Sequence, residues 1–208
     1  MRKVITLADL ENLPEGAELL LPRGALLTPA ARELAAARKL RLVETRPEEL
    51  PAAPPERTVA VGSDHGGFRM KQALLAVFGE LGLEVIDVGT ADETPVDYPD
   101  IARQVAEMVT AGRAGRGVII DGAGIGSAIA ANKVPGIRAA LCYDRASARN
   151  SREHNHANVL TLGGRLLTES QAREVLVTWL TTPFAGGRHA GRVAKIAELE
   201  QRYRSGPG

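Results

Sequence analysis

Residues 117–127, GVIIDGAGIGS, decide the fold: a short apolar run rich in β-branched residues, an aspartate, a glycine-rich turn, and then the helix-forming continuation IAANK. An apolar run that short, without polar alternation, reads as a strand covered on both faces, and such strands belong to parallel sheets. Working outward, four more runs of the same kind appear: TVAVGS from Thr58, LEVIDVG from Leu83, IRAALC from Ile137 and NVLTLG from Asn158. Helical patterns fill the gaps at 68–81, 98–111, 125–133, 145–153 and 169–180. Strands alternating with helices predict an α/β fold, a doubly wound, Rossmann-like five-stranded parallel sheet. A last helical stretch, Val193 to Tyr203, has a mixed face and little sheet left to cover, which points it towards another subunit.

Upstream, residues 45–57 read TRPEELPAAPPER, where four prolines fix φ and remove amide donors, the pattern of an extended linker. It divides a small α/β extension, 1–44, from the main domain, 58–208. Within the extension, Thr28 before Pro29 marks a helix start that leads through AARELAAARKL into RLVE. The whole chain has 208 residues, and 26 Lys and Arg against 25 Asp and Glu leave a formal charge of +1. No global positive field exists to gather nucleic acid or acidic lipid. Lacking a membrane-length apolar run or a signal sequence, and with the single Cys142, the chain reads as cytoplasmic.

In an open parallel sheet, ligands sit beyond the carboxyl ends of the strands. Asp64 and His65 follow the first of these strands, Gly89 and Thr90 the second with Asp97-Tyr98-Pro99 further on, and Asp121 with its glycines the third. The turn Gly122, Gly124, Gly126 can present backbone amides to an anion at a helix start. It does not match a dinucleotide fingerprint, because Ser127 occupies the sixth position, and no P-loop Lys-Ser/Thr pair follows. By itself the turn is equally a tight strand-to-helix connection. Three of the four histidines, His65, His154 and His156, fall at expected loop ends, and His189 lies in GGRHAGR between Arg188 and Arg192. Those two arginines fall on one face of a helical turn and suit a phosphate, or equally a solvated basic face. No paired-cysteine or helical two-histidine spacing points to a metal.

Taken in order, SDHGG, DYP, GAGIG leading into IAANK, SREHNHANVLTLGGR and GGRHAGR resemble the type B ribose-5-phosphate isomerase and galactose-6-phosphate isomerase family, from Thr58 to about Tyr203. The resemblance implies an isomerase of phosphorylated aldoses and ketoses, with ribose 5-phosphate the default substrate. It implies no metal or organic cofactor, and homodimers or dimers of dimers with active sites shared between subunits. His154 would open the sugar ring, Asn155 and Asp64 would hold hydroxyls, and Tyr98 would line the pocket. His65, Arg165, Arg188 and Arg192 would hold the phosphate, some from a partner subunit. The amides of Gly122 to Gly126 would stabilise a cis-enediolate.

One departure matters. The family turn commonly begins with a cysteine base followed by a glycine and a hydroxyl residue, where this chain has Asp121 and Ala123; another branch places a glutamate base at the position of Ser127. Asp121 is then the candidate base, and an aspartate at a strand end is also an ordinary helix cap. Two functions follow: an isomerase through a cis-enediolate, or a sugar-phosphate-binding or scaffold subunit without turnover. A flavodoxin-like binder is disfavoured by the 3% aromatic content. The extension, ITLADLENLPEGAELLLPRGALLTPAARELAAARKLRL, resembles the leading segment of ethanolamine-utilisation cobalamin adenosyltransferases. That second resemblance points to association with a bacterial microcompartment through residues 1–44.

Overall fold

The computed structural model describes residues 4–11, 13–22, 25–45 and 57–204. The chain forms two compact units, residues 1–52 and 53–208. Apart from its ends at Thr45 and Arg57, the proline-rich linker 45–57 lies outside the described residues.

In the first unit, β1 (Val4–Ile5) pairs in parallel with β3 (Leu26–Leu27), and β2 (Glu18–Pro22) with β4 (Arg41–Thr45). Helices α1 (Leu7–Leu10) and α2 (Pro29–Ala37) complete it. The Thr28 hydroxyl accepts from the Ala31 amide at 3.3 Å with Pro29 in the first turn, so α2 starts where the sequence places it. Its core is small: Ile5, Leu10, Leu21, Ala31 and Ala35.

The second unit runs β5 (Thr58–Ser63), α3 (Phe68–Glu80), β6 (Glu84–Asp87), α4 (Tyr98–Thr110), β7 (Arg116–Asp121), α5 (Ile125–Ala131), β8 (Ala139–Leu141), α6 (Arg145–Glu153), β9 (Val159–Gly163), α7 (Glu169–Thr181) and α8 (Arg188–Arg204). The five strands pair in parallel in the order β6-β5-β7-β9-β8. Because successive strand residues point to opposite faces, Val59, Val61, Val118 and Ile120 meet Leu74, Phe78, Leu176 and Trp179 of α3 and α7. Ala60 and Ile119 meet Ala102, Val105 and Ala106 of α4. Both faces are covered, which explains the unbroken apolar runs. On the α4 side the strands carry glycine where the helix comes closest: a Cβ on Gly117 would lie 2.6 Å from Val105 Cγ1, and one on Gly62 2.7 Å from Ile101 Cγ2.

The final helix begins at Arg188, earlier than the expected Val193. Gly186 and Gly187, at φ of 60° and 53°, form the turn that admits it, and Gly191 is carried inside the helix. The strand order reverses between β5 and β7. Their carboxyl ends therefore splay apart into a crevice, and the chemistry gathers there.

Candidate active site

The β7 strand ends on Asp121, whose side chain is 4% exposed. Oδ1 accepts from the amides of Ala123 (2.8 Å) and Gly124, while Oδ2 accepts from the Ser127 amide (2.9 Å) and the Ser127 hydroxyl (2.5 Å). An ionised carboxylate offers about four lone-pair sites, and all are taken here. The turn is thus wound around this one side chain. Gly124 holds a left-handed backbone (φ 80°), and a Cβ there would sit 2.5 Å from Leu141 Cδ1. Its amide serves Asp121, so the expectation that every amide from Gly122 to Gly126 faces a ligand is corrected. Among the described residues, the amides of Gly122, Ile125 and Gly126 are left without a protein acceptor. From outside, the Tyr143 hydroxyl donates to the Ala123 carbonyl at 2.9 Å and pins the turn.

Close approach of the neighbouring strand ends also needs glycine. A Cβ on Gly67 would fall 2.0 Å from the Ile120 carbonyl oxygen, and one on Gly163 2.7 Å from that of Ala123. Asp64, 8% exposed, accepts from the Gly67 amide at 2.8 Å and shapes the turn into α3. His65 Nδ1 accepts from the Val96 amide at 3.4 Å, which places the hydrogen of the neutral ring on Nε2. The Tyr98 ring lies on Gly126, where a Cβ would come within 2.5 Å of it. The amide of Arg165 donates to the Gly122 carbonyl at 3.0 Å, and its side chain passes over Gly122. His65, Gly66, Arg69, Met70, Glu93, Gly164 and Arg165 line a cleft of about 390 Å³ beside this cradle.

The remaining expected residues lie elsewhere in the chain. Helix α6 runs back from the carboxyl end of β8, so His154 and Asn155 at its far end fall at the opposite edge of the sheet, where Asn158 accepts from the first residues of β7. A six-residue strand separates the two edges, roughly 17 Å at about 3.3 Å per residue, which a pentose phosphate does not span. At that second edge the Asn150 amide nitrogen faces His154 Nδ1 at 3.0 Å, and the Asn155 amide donates to Asn150 Oδ1 at 3.2 Å. His189 stacks on His154 with centroids 4.2 Å apart and planes 5° from parallel. Arg188 Nε lies 3.5 Å from His189 Nε2. Burial first, then His154, Arg188 and Arg192, hold His189 below the ordinary imidazole range. The expected residues thus fall into two groups: Asp64, His65, Tyr98, Asp121 and Arg165 around the glycine turn, and His154, Asn155, Arg188 and Arg192 around the stacked histidines.

Sequence reasoning missed Arg69 and Glu93, an ion pair on the rim of the cleft. It also missed Lys71, which is 1% exposed and binds both Asp87 oxygens at 2.7 and 2.8 Å and the Thr90 carbonyl at 2.7 Å. This clamp holds the segment leading to Tyr98. The available signal was a lysine on the apolar side of α3. Among the described residues, no three His, Cys, Asp or Glu side chains gather to hold a metal.

Comparison with known proteins supplies the family. A model of the ribose/galactose isomerase family matches residues 59–196. The chain is 44% identical over 146 residues to ribose-5-phosphate isomerase B of Escherichia coli, covering 70% of this chain and 98% of that one. It is 37% identical over 147 residues to D-erythrulose-4-phosphate isomerase of Pectobacterium atrosepticum, covering 70% and 96%. Among solved structures, ribose-5-phosphate isomerase B of Clostridium thermocellum superposes with a TM-score of 0.69 at 50% identity over 70% of this chain and 99% of that one. The type B enzyme of Trypanosoma brucei gives 0.67 at 45%, over 69% and 98%. Sequence, fold and the glycine cradle agree, and this chain belongs to the ribose/galactose isomerase family.

Proposed function

We propose that the protein interconverts a phosphorylated aldose and its ketose, ribose 5-phosphate and ribulose 5-phosphate being the first pair to test. The observation that carries this is the cradle of unengaged amides at Gly122, Ile125 and Gly126 beside Arg165 and His65: donors fixed in advance where an enediolate oxygen would develop its charge. His65 and Arg165 take the phosphate in the adjoining cleft, Asp64 holds a hydroxyl, and Tyr98 walls the site over Gly126.

Asp121 removes the proton from C2. As that C–H bond breaks, its electrons form the C1–C2 double bond and the carbonyl oxygen at C1 becomes the oxyanion on the amides. Asp121 returns the proton to C1 while the proton of the C2 hydroxyl passes to the C1 oxyanion, which leaves a carbonyl at C2 and a hydroxyl at C1, the ketose. Three of the four donors on Asp121 are backbone amides that cannot leave without unwinding the turn. The fourth, the Ser127 hydroxyl, needs only a rotation about χ1 to bare one lone pair of Oδ2.

A second copy of the chain completes the site, its His154, Asn155, Arg188 and Arg192 meeting the cradle of the first. The support is the division of complementary chemistry between opposite edges of one sheet, with Ile125 and Ile129 of α5 50% and 59% exposed beside the cradle. For residues 1–44 we propose docking onto microcompartment shell or cargo proteins in the cytoplasm; failure to co-purify with them would remove that part. The central test is NMR of the protein with ribose 5-phosphate in D2O. Ribulose 5-phosphate carrying solvent deuterium at C1, together with exchange at C2 of the aldose, is expected. Binding without either marks a sugar-phosphate carrier and sinks the isomerase reading for this substrate.

A further inference from the structure

His189 is absent from the roles given above, yet it is buried where His154, Asn155, Arg188 and Arg192 are not. It is 8% exposed, and its Nδ1 is buried without a hydrogen-bond partner. Arg188 Nε donates towards its Nε2 at 3.5 Å, which puts the ring hydrogen on that unpartnered Nδ1. A donor buried without a partner is destabilising, so an imidazole is an unfavourable way to fill space at the start of α8. What the ring does achieve is visible in its contact: it lies flat on His154, centroids 4.2 Å apart and planes 5° from parallel.

His154 itself is 38% exposed at its side chain and caps the C-terminus of α6, where a lone imidazole would turn freely about χ2. Two contacts prevent that. Asn155 donates to Asn150 Oδ1, which fixes the Asn150 amide with its NH2 towards His154, so Nδ1 of His154 accepts and its hydrogen resides on Nε2. That bond holds one edge of the ring, and Glu153 Oε1, 3.8 Å from Nε2, lies beyond hydrogen-bond reach, so rotation about the bond stays open. The flat face of His189 closes this last freedom.

We propose that His189 is the positioning residue for His154, setting the plane in which Nε2–H is presented to the ring oxygen of a cyclic sugar phosphate. Ring opening breaks the bond between the anomeric carbon and the ring oxygen. Nε2 gives its hydrogen to the ring oxygen and takes that of the anomeric hydroxyl, so the imidazole ends as it began. This inference rests on the isomerase reading for its substrate, and on the stacked pair alone for its geometry.

The test separates ring opening from enolisation. Ribulose 5-phosphate has no free hydroxyl at C5 and stays acyclic, so deuterium exchange at its C1 needs the cradle and not His154. In His189→Ala, turnover of ribose 5-phosphate is expected to fall about tenfold, a small part of what an acid–base group supplies, while exchange into ribulose 5-phosphate stays within about twofold. His189→Phe keeps the flat ring and removes the unpaired nitrogen; it is expected to restore turnover with an unchanged or higher Tm. In 15N NMR of the whole protein, the His154 ring should show one Nε2–H tautomer in the wild type and in His189→Phe, and averaged signals in His189→Ala.

Unchanged ribose 5-phosphate turnover in His189→Ala overturns the proposal, as does a parallel loss of turnover and exchange, or failure of phenylalanine to rescue. If the wild type turns over neither sugar, the isomerase reading fails. The NMR comparison then still decides the positioning role, and a His154 signal indifferent to residue 189 refutes it.

Discussion

Asp121 illustrates how one side chain serves two ends. Four hydrogen bonds from Ala123, Gly124 and Ser127 make it the post around which the turn is wound, while the same carboxylate is the acid that ends β7. Substitution separates the two roles. In Asp121→Asn the amide nitrogen replaces one oxygen and faces a donor, so stability is expected to fall by about 1–3 kcal/mol, read as urea denaturation, and C2 exchange to vanish. Ser127→Ala removes a single neutral donor, costs about 1 kcal/mol and leaves Oδ2 more open; exchange should persist at or above the wild-type rate. Loss of exchange in Ser127→Ala with the fold intact would move the base from Asp121 alone to the serine.

The elements that hold the site are anchored by their caps. Helix α7 opens with a reciprocal pair, the Thr168 hydroxyl accepting from the Gln171 amide and the Gln171 side chain from the Thr168 amide, and α6 opens in the same manner on Asp144 and Ser147. Thr168→Ala is expected to lower stability by about 1 kcal/mol. Trp179, fully buried on α7, is the single tryptophan of the chain, so its fluorescence reports the transition directly. Activity at temperatures well below the transition should be unaffected, because α7 supports the sheet from one face and carries none of the candidate site residues. These caps are legible in sequence, as is the proline in the first turn of α4. The early start of α8 was not, since two adjacent glycines look like a break until both are seen with positive φ.

At the scale of the molecule, two histidines, His156 and the buried His189, set a pH limit. Burial, then Arg138 and Arg152, hold His156 below the ordinary imidazole range, as burial and its own neighbours do for His189. Between the unfolded value of about 6.5 and the lower folded one, the unfolded chain binds more protons, so stability present at neutral pH is lost as pH falls through that window. Calorimetry should find a lower Tm at about pH 5.5 than at about pH 7.5. His156→Asn, which suits the left-handed backbone there (φ 50°), should flatten the dependence. A slope unchanged by that substitution would place the titration elsewhere. Sharing of the site between copies has its own test: Asp121→Asn and His154→Asn, each inactive alone, should regain about a quarter of wild-type activity when mixed and re-equilibrated as random dimers. No recovery would refute a site built from two copies.

The sequence by itself determined the sheet, because strands buried on both faces must be written as short apolar runs such as GVIID, and it determined which loops carry polar groups, because those follow strand ends. It also carried the family, through short motifs whose order and spacing survive substitution. Only the tertiary structure decided that all four lone pairs of Asp121 are occupied, that Lys71 clamps Asp87 and Thr90, that His189 lies on His154, and that the glycine turn and His154 occupy opposite edges. These are contacts between residues distant in the chain or dependent on a turn's exact path. A linear pattern records which face a residue takes, and the partner it meets there is fixed only when the layers close.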